Sequence, residues 1–180
     1  LDVLGNNASI SMKSISELYE VWCLLEIRRI LIEELGFVEQ SSQKAKLNDS
    51  VLEKSLKNGI GAAFRFTRDD GLKVFLAHEP QFWLSDKKIN KILSYTTTQI
   101  PDIFIEAEFP NGDTINWIFD AKYRIADDEK NGDLVPDDAI NQMHRYRDAL
   151  IYLHKNENNV QRKFRPILGA YALYPGFIDE

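Results

Sequence analysis

The segment 101–122 constrains the fold most, because it combines two alternating stretches, a turn and acidic residues at both outer ends. The turn Pro110-Asn111-Gly112-Asp113 separates two stretches in which apolar and polar residues alternate, which is the pattern of β-strands. Successive side chains of a strand point to opposite faces, so the apolar set of each strand forms one packed face. The segment therefore predicts a β-hairpin whose open end carries Asp102, Asp120 and Lys122.

The register of this hairpin decides whether the two aspartates share a face, because a shift of one residue moves every side chain to the opposite face. A two-residue Asn111-Gly112 turn would place the aspartates on opposite faces. A loop with an odd number of residues instead pairs Phe109 with Asp113. That register places Asp102 opposite Asp120 and keeps the two apolar sets together. We therefore predict a loop of three or five residues, or a β-bulge.

Two carboxylates beside a lysine are the groups that metal-assisted hydrolysis of a phosphodiester requires. Asp120 directly follows the apolar residues Trp117-Ile118-Phe119, and a carboxylate at the end of such a strand needs a partner. Two plainer interpretations remain open. Asp102 can be only a strand-entry residue after a proline, and Asp120 with Lys122 can be a solvated ion pair at a sheet edge.

An apolar helix is predicted before this hairpin, over residues 14–35. Ser14 and Glu17 form a capping-box pattern at its start, and Gly36 is typical of a helix C-terminus. Glu20 lies within the apolar part of this helix. It is either solvated on a thin polar stripe with Glu17 or held for a metal ion.

The remaining segments predict further strands and a second helix. Residues 62–77 have the pattern of a β-hairpin, and the connection 79–99 is assigned only a short helix around 89–93. A helix begins at Pro136-Asp137-Asp138, with Ile140, Met143, Leu150 and Ile151 as its inward face. The apolar run 167–174 predicts a buried strand that is parallel to its neighbour, since it is reached through that helix.

The composition describes a globular domain with an acidic surface. The chain has 180 residues, 44% of them apolar, and its net charge of −6 lowers the expectation of autonomous DNA binding. The lone Cys23 is expected in the core, and the three histidines, without metal-ligand spacing, are expected at the surface. No apolar run approaches the ~18 residues of a membrane span. Because the chain starts with Leu, we expect a domain of a longer protein, with 1–13 as a linker or extension and 14–180 as the domain.

The acidic residues of the hairpin form part of a larger pattern. Pro101-Asp102 followed by Asp120-x-Lys122 resembles the signature of the PD-(D/E)XK nuclease superfamily, with Asp120 where many members have Glu. Gln142-x-x-x-Tyr146 and Tyr19-Glu20-x-Trp22 are similar to helical elements of some of its branches. The strings Gln99-x-Pro101-Asp102 and Gln142-Met143-His144-Arg145-Tyr146-Arg147-Asp148-Ala149 most resemble the nuclease domain of McrC-like restriction subunits.

This resemblance implies an α/β fold with a restriction-endonuclease-like α-β-β-β-α-β core, in which helices flank a mixed central sheet. It implies a Mg²⁺ cofactor, for which Mn²⁺ can substitute. The implied metal ligands are Glu20, Asp102, Asp120 and the Ala121 carbonyl. The implied catalytic residues are Asp102, Asp120, Lys122, Gln142 and Tyr146. Arg145 or Arg147 could contact the DNA backbone.

The resemblance also implies a function and a setting. We expect a cytoplasmic DNA endonuclease domain of a restriction or antiviral defence system, working with a nucleotide-hydrolysing partner subunit and with other domains of the same protein. One alternative is a catalytically inactive scaffold that docks a partner subunit or DNA. Another is a carboxylate-metal hydrolase with an RNase H-like fold, in which Lys122 would be dispensable.

Overall fold

The computed structural model describes residues 3–40, 63–84, 92–123, 135, 137–155 and 161–175. Helix α1 continues into a π-helical turn, and most of the strands lie between α1 and helix α2. The elements in chain order are α1 (Val3–Arg29), the π-helical turn (Ile30–Glu34), β1 (Val38–Glu39), β2 (Ala63–Thr67), β3 (Lys73–His78), β4 (Ile92–Ser94), β5 (Ile103–Glu108), β6 (Thr114–Ala121), α2 (Asp137–Ala149), β7 (Leu150–Lys155), β8 (Gln161–Phe164) and β9 (Ile167–Leu173).

The central sheet of the described residues has six strands in the order β1-β2-β3-β5-β6-β9. Every neighbouring pair is antiparallel except β6 and β9, which are parallel. Helix α2 and strands β7 and β8 lie in the connection between those two parallel strands, since parallel strands need a long crossover. The predicted α/β fold, a mixed central sheet flanked by helices, is therefore confirmed.

The register of the central hairpin is the one that an odd loop predicts. Phe109 N donates to Asp113 O at 2.8 Å, so the loop has three residues, and Gly112 adopts the left-handed φ of 87° that ends such a loop. The first ladder pair of β5 and β6 at the open end is Ile103 with Phe119. The next pair outward is Asp102 with Asp120, so the two aspartates lie opposite each other on one face.

Both faces of this sheet are packed. On one face, Leu24 of α1 belongs to an apolar cluster with Ile103. On the other, Tyr146 of α2 packs with Phe104 and Ile118, which are fully buried. The predicted packed face is therefore correct, and the face that carries the aspartates is buried under α2 as well. That second layer explains how Asp120 comes to be enclosed.

Four local predictions need correction. Helix α1 begins at Val3, so the capping-box residues at 14–17 lie inside it, whereas the stop at Gly36 is confirmed by a φ of 71°. Residues 92–94 form strand β4 and not a helix, while 85–91 lie outside the described residues. Helix α2 ends at Ala149, which places Leu150 and Ile151 in β7, and Ile140 is 44% exposed. Strand β9 is parallel as predicted but half exposed, with Tyr171 51% exposed.

A second sheet was not predicted. Strands β4, β7 and β8 form it, in the antiparallel order β4-β7-β8. It begins where α2 ends and holds the end of that helix against the loop that follows β4. None of the described helices is long and apolar enough to cross a membrane. The division into an extension at 1–13 and a domain from residue 14 stays a prediction.

Candidate active site

The candidate site lies at the end of the central sheet where β5 begins and β6 ends. Asp120, the last residue but one of β6, is buried, with 1% of its surface exposed. Asp102 precedes β5, and its Oδ2 accepts a hydrogen bond from the Ala121 backbone N–H at 2.6 Å. This bond crosses from one strand to the next and fixes the Asp102 carboxylate beside the end of β6. The two predicted acids are therefore brought together.

Helix α2 holds Asp120 from one side through its predicted Gln-Tyr pair. Tyr146 OH donates to Asp120 Oδ1 at 3.0 Å, and Gln142 Nε2 donates to Tyr146 OH at 2.6 Å. The amide also reaches Asp120 Oδ1, at 3.4 Å. Residues four apart lie on the same side of a helix, so both side chains point at the same carboxylate. Tyr146 OH also lies 3.2 Å from Ile100 O, which ties the helix to the segment leading into β5.

Lys122 completes the other side of Asp120. Its Nζ forms an ion pair with Asp120 Oδ2, and its side chain is 20% exposed. Lysine and aspartate two residues apart in an extended chain point to the same face, so β6 itself places them together. Apart from this ion pair, the buried Asp120 Oδ2 has no hydrogen-bond partner among the residues that the structure describes. The Lys122 ammonium is therefore the positive partner of this carboxylate oxygen in the structure.

Glu20 approaches the same end of the sheet from α1. The Tyr19 ring packs on the Tyr123 ring at a centroid distance of 5.4 Å, which holds α1 against the chain just after β6. Glu20 lies near enough to Asp120 and Lys122 for their charges to act on its carboxylate. Glu20 is half-buried, whereas Glu17 is exposed. Of the two open interpretations, the solvated stripe therefore fits Glu17, and Glu20 faces the site.

The site carries more negative charge than its lysine neutralises. Burial first, then the charges of Asp120 and Glu20, raise the pKa of Asp102 from 3.8 to about 7, against the Ala121 N–H and Lys122, which lower it. Burial and the charges of Glu79 and Asp120 likewise raise the pKa of Glu20. Gathered carboxylates with raised pKa values are typical of a site that binds a cation.

A hard divalent cation fits this donor set, because Mg²⁺ prefers carboxylate oxygens and because, among the described residues, only the Lys122 ammonium partners Asp120 Oδ2. Asp102 and Asp120 are the residues that would hold it. Among the described residues, no three Asp, Glu, His or Cys side chains are arranged to hold one ion. Glu20 is thus a neighbour of the two aspartates and not part of a three-carboxylate cluster. Its role as a ligand, and that of the Ala121 carbonyl, stay predictions.

Two residues next to the site were missed by the sequence analysis. Glu79 has a strained, left-handed φ of 45°, and its N–H donates to Asp102 O at 2.8 Å. Among the neighbouring charges, that of Glu79 raises the pKa of Glu20 the most. His78, expected at the surface, is buried and has its Nδ1 at 3.8 Å from Glu79 Oε2. A glutamate between a strand end and Pro80 was the signal that could have identified this turn.

The other candidate residues lie outside this cluster. Gln99 is buried, and its amide donates to the Thr97 carbonyl at 2.9 Å, so it stabilises the loop before Pro101. Arg145 and Arg147 are exposed on α2, as contact with a DNA backbone would require. His144 is exposed and Cys23 is buried, as predicted, while the side chain of His154 lies outside the described residues.

Replacing Tyr146 with Phe tests the hydrogen bonds that hold Asp120. We expect a loss of about 2 kcal/mol in the free energy of unfolding, because a bond to a buried charged group is removed. We also expect the predicted phosphodiester cleavage to slow 10- to 100-fold, as it does when a residue that orients a metal ligand is replaced. Urea denaturation and a cleavage assay measure these effects. Tyr171→Phe, at an exposed tyrosine of β9, is the matched control, and equal effects in both variants would contradict the assignment.

The sequence match agrees with this geometry. A family profile described as the PD-(D/E)XK nuclease superfamily matches residues 17–179. No curated protein and no solved structure is significantly similar to the chain. The narrower resemblance to McrC-like subunits therefore stays a prediction. Because the matched region covers nearly the whole chain and contains the paired aspartates with their adjacent lysine, the chain belongs to the PD-(D/E)XK nuclease superfamily.

Proposed function

We propose that this nuclease domain is a Mg²⁺-dependent DNA endonuclease, in which Mn²⁺ can substitute for Mg²⁺. The observation that supports this most strongly is the register of β5 and β6, which sets Asp102 opposite Asp120 with Lys122 on the same face. A bound divalent ion would supply Lewis-acid polarisation of the phosphate and a water molecule of lowered pKa. The domain would then hold the ion and its water molecule beside the acids at the buried end of the central sheet.

The protein groups have separate roles in this proposal. Asp102 and Asp120 are the cation ligands. The Ala121 N–H fixes the orientation of the Asp102 carboxylate, and the Tyr146 hydroxyl fixes that of Asp120. Lys122 is close enough to orient an attacking water and to stabilise charge that develops on the phosphate. Gln142 donates to the Tyr146 hydroxyl and so leaves the hydroxyl proton for Asp120.

The proposed setting is a cytoplasmic restriction or antiviral defence system with a nucleotide-hydrolysing partner subunit. Two features of the sequence support it. The motif strings around Asp102 and Tyr146 resemble those of McrC-like restriction subunits. The net charge of −6 is unfavourable for autonomous binding to a polyanion, so affinity for DNA would come from a partner or from other domains.

Cleavage of a closed circular plasmid is the direct test, because only an endonuclease can open a circle without ends. The protein that contains this domain, in its natural assembly, is incubated with supercoiled plasmid and Mg²⁺, with Mn²⁺, or with EDTA. We expect nicked or linear DNA with either metal and none with EDTA. A parallel RNA substrate tests the preference for DNA. Intact plasmid with both metals would contradict the proposal and favour the alternative, a scaffold that docks a partner or DNA.

Replacing Lys122 with Met separates the lysine chemistry from the acids. We expect a 100- to 1,000-fold lower rate of plasmid cleavage, because a positive group beside the developing phosphate charge is lost. Lys73→Met is the matched control, since Lys73 is also ion-paired, to Glu108 at 2.8 Å, but lies towards the opposite end of the sheet. A near-silent Lys122 variant would indicate chemistry of the RNase H type, although the family match argues against that fold.

A further inference from the structure

An exposed aromatic side chain with a cation beside it lies outside the catalytic cluster. Tyr95, which follows β4, is 49% exposed. Lys163 of β8 is also exposed, and its Nζ lies 5.4 Å from the centroid of the Tyr95 ring. We call these two residues the Tyr95–Lys163 platform. The lysine over one face of the ring offers a phosphate contact, and a base would stack on the opposite face.

The loop that follows Tyr95 connects the platform to the candidate active site. Tyr95 N donates to Ala149 O at 3.1 Å, at the C-terminal end of α2. Ala149 is three residues beyond Tyr146, which is about 4.5 Å along a helix axis. At its other end, the same loop supplies Ile100 O to the Tyr146 hydroxyl at 3.2 Å. The backbone of Tyr95 is therefore attached to α2 less than one helical turn from the backbone of Tyr146, the residue that holds Asp120.

Hydrogen bonds within this loop hold the platform in place. Ser94 Oγ donates to Thr97 O at 2.5 Å, and the buried Gln99 donates to the same carbonyl at 2.9 Å. Gln99 and Phe82 exchange two backbone hydrogen bonds, at 2.9 and 3.1 Å. The exposed ring thus stands on a backbone that is fixed before any ligand arrives, which lowers the entropic cost of binding.

We propose that the Tyr95–Lys163 platform, at the start of the loop that leads to the active site, binds single-stranded nucleic acid, with a base stacked on Tyr95 and a phosphate beside Lys163. This inference rests on the proposed nuclease function. A base in a duplex is covered by its neighbours and cannot lie flat on an exposed ring, so the platform favours unpaired nucleotides. Every base has a π-face, so such a contact holds the strand without selecting a sequence.

Fluorescence anisotropy of a labelled single-stranded oligonucleotide, added to the protein in its natural assembly with EDTA present to prevent cleavage, tests the platform. We expect Tyr95→Leu, which keeps an apolar side chain but no ring, to weaken binding about tenfold. Tyr95→Phe keeps the ring and should bind like the wild type. Lys163→Gln should weaken binding and reduce the slope of log K against log salt by about one. The two substitutions at Tyr95 should change the affinity for a duplex of the same sequence very little.

Tyr171→Leu is the matched control, because Tyr171 is equally exposed, at 51%, but is stacked on Phe119 of the central sheet. Thermal melts establish that each variant is folded. Absence of single-strand binding by the wild type, unchanged binding by Tyr95→Leu, or an equal loss in Tyr171→Leu would overturn the proposal. Strand binding through Tyr95 without plasmid cleavage would refute the nuclease function alone, whereas cleavage with binding independent of Tyr95 would refute the platform alone.

Discussion

Asp120→Asn is expected to lower the rate of the proposed phosphodiester cleavage by about 1,000-fold or more, because it removes one of the two proposed cation ligands. Asparagine has the same shape, and its oxygen can still accept the hydrogen bond from Tyr146. The variant also relieves the repulsion between Asp120 and Asp102, which is one cause of the raised pKa of Asp102. The cleavage rate should therefore fall without a matching loss in the free energy of unfolding. Plasmid cleavage measures the first and urea denaturation the second.

Asp113→Asn is the matched control for this variant. Asp113 is an exposed aspartate in the same hairpin, at the loop opposite the open end. It should retain the cleavage rate of the wild type. If Asp120→Asn cleaves as fast as Asp113→Asn, the carboxylate pair is not the site of the reaction and the catalytic assignment is wrong.

Asp102→Asn is expected to stabilise the metal-free protein at pH 8 by up to about 4 kcal/mol and to leave its stability nearly unchanged near pH 4. The cause is the shift of the Asp102 pKa from 3.8 in an exposed chain to about 7 in the fold. Between these values the folded state binds a proton that the unfolded state lacks, so stability falls as pH rises through this window. Above pH 7 the Asp102 carboxyl is ionised in both the folded and the unfolded state, and the full free-energy cost of burying its charge lowers stability. The neutral asparagine does not have this cost.

Urea denaturation at pH 4 and at pH 8, in the presence of EDTA, measures this difference. Asp113→Asn again serves as the control, and it should follow the pH dependence of the wild type. Added Mg²⁺ should restore stability to the wild type at pH 8 by binding the folded state, and should do so much less in Asp102→Asn. If the free energies of unfolding of the wild type and of Asp102→Asn depend on pH in the same way, the pKa of Asp102 is not raised by burial and by neighbouring charges.

The hairpin could be predicted in detail because its constraints are local. Alternation with period two leaves one acceptable register, and the apolar sets of both strands must coincide. The odd loop followed from that requirement, against the tempting Asn111-Gly112 pair. The spacing of Gln142 and Tyr146 was equally local, because residues four apart on a helix lie side by side.

The second sheet could not be predicted for the opposite reason. Strand β4 has only three residues, and its pairing partner β7 begins directly after α2, where Leu150 continues the apolar spacing of the helix. Such a short segment becomes a strand through a partner that lies far away in the chain. The start of α1 at Val3 was missed similarly, because Ser14 matches a helix N-terminus whether or not the helix begins there.

The sequence by itself determined how the candidate catalytic residues are arranged, since strand periodicity and the odd loop place Asp102 opposite Asp120 with Lys122 on the same face. Only the tertiary structure decided which groups surround them. In the fold Glu20 lies closer to the site than the exposed Glu17, the turn at Glu79 contacts Asp102, and the Tyr146 hydroxyl donates to Asp120. The physical reason is that charge repulsion and burial depend on distances between elements far apart in the chain, whereas strand and helix periodicity is written into neighbouring residues.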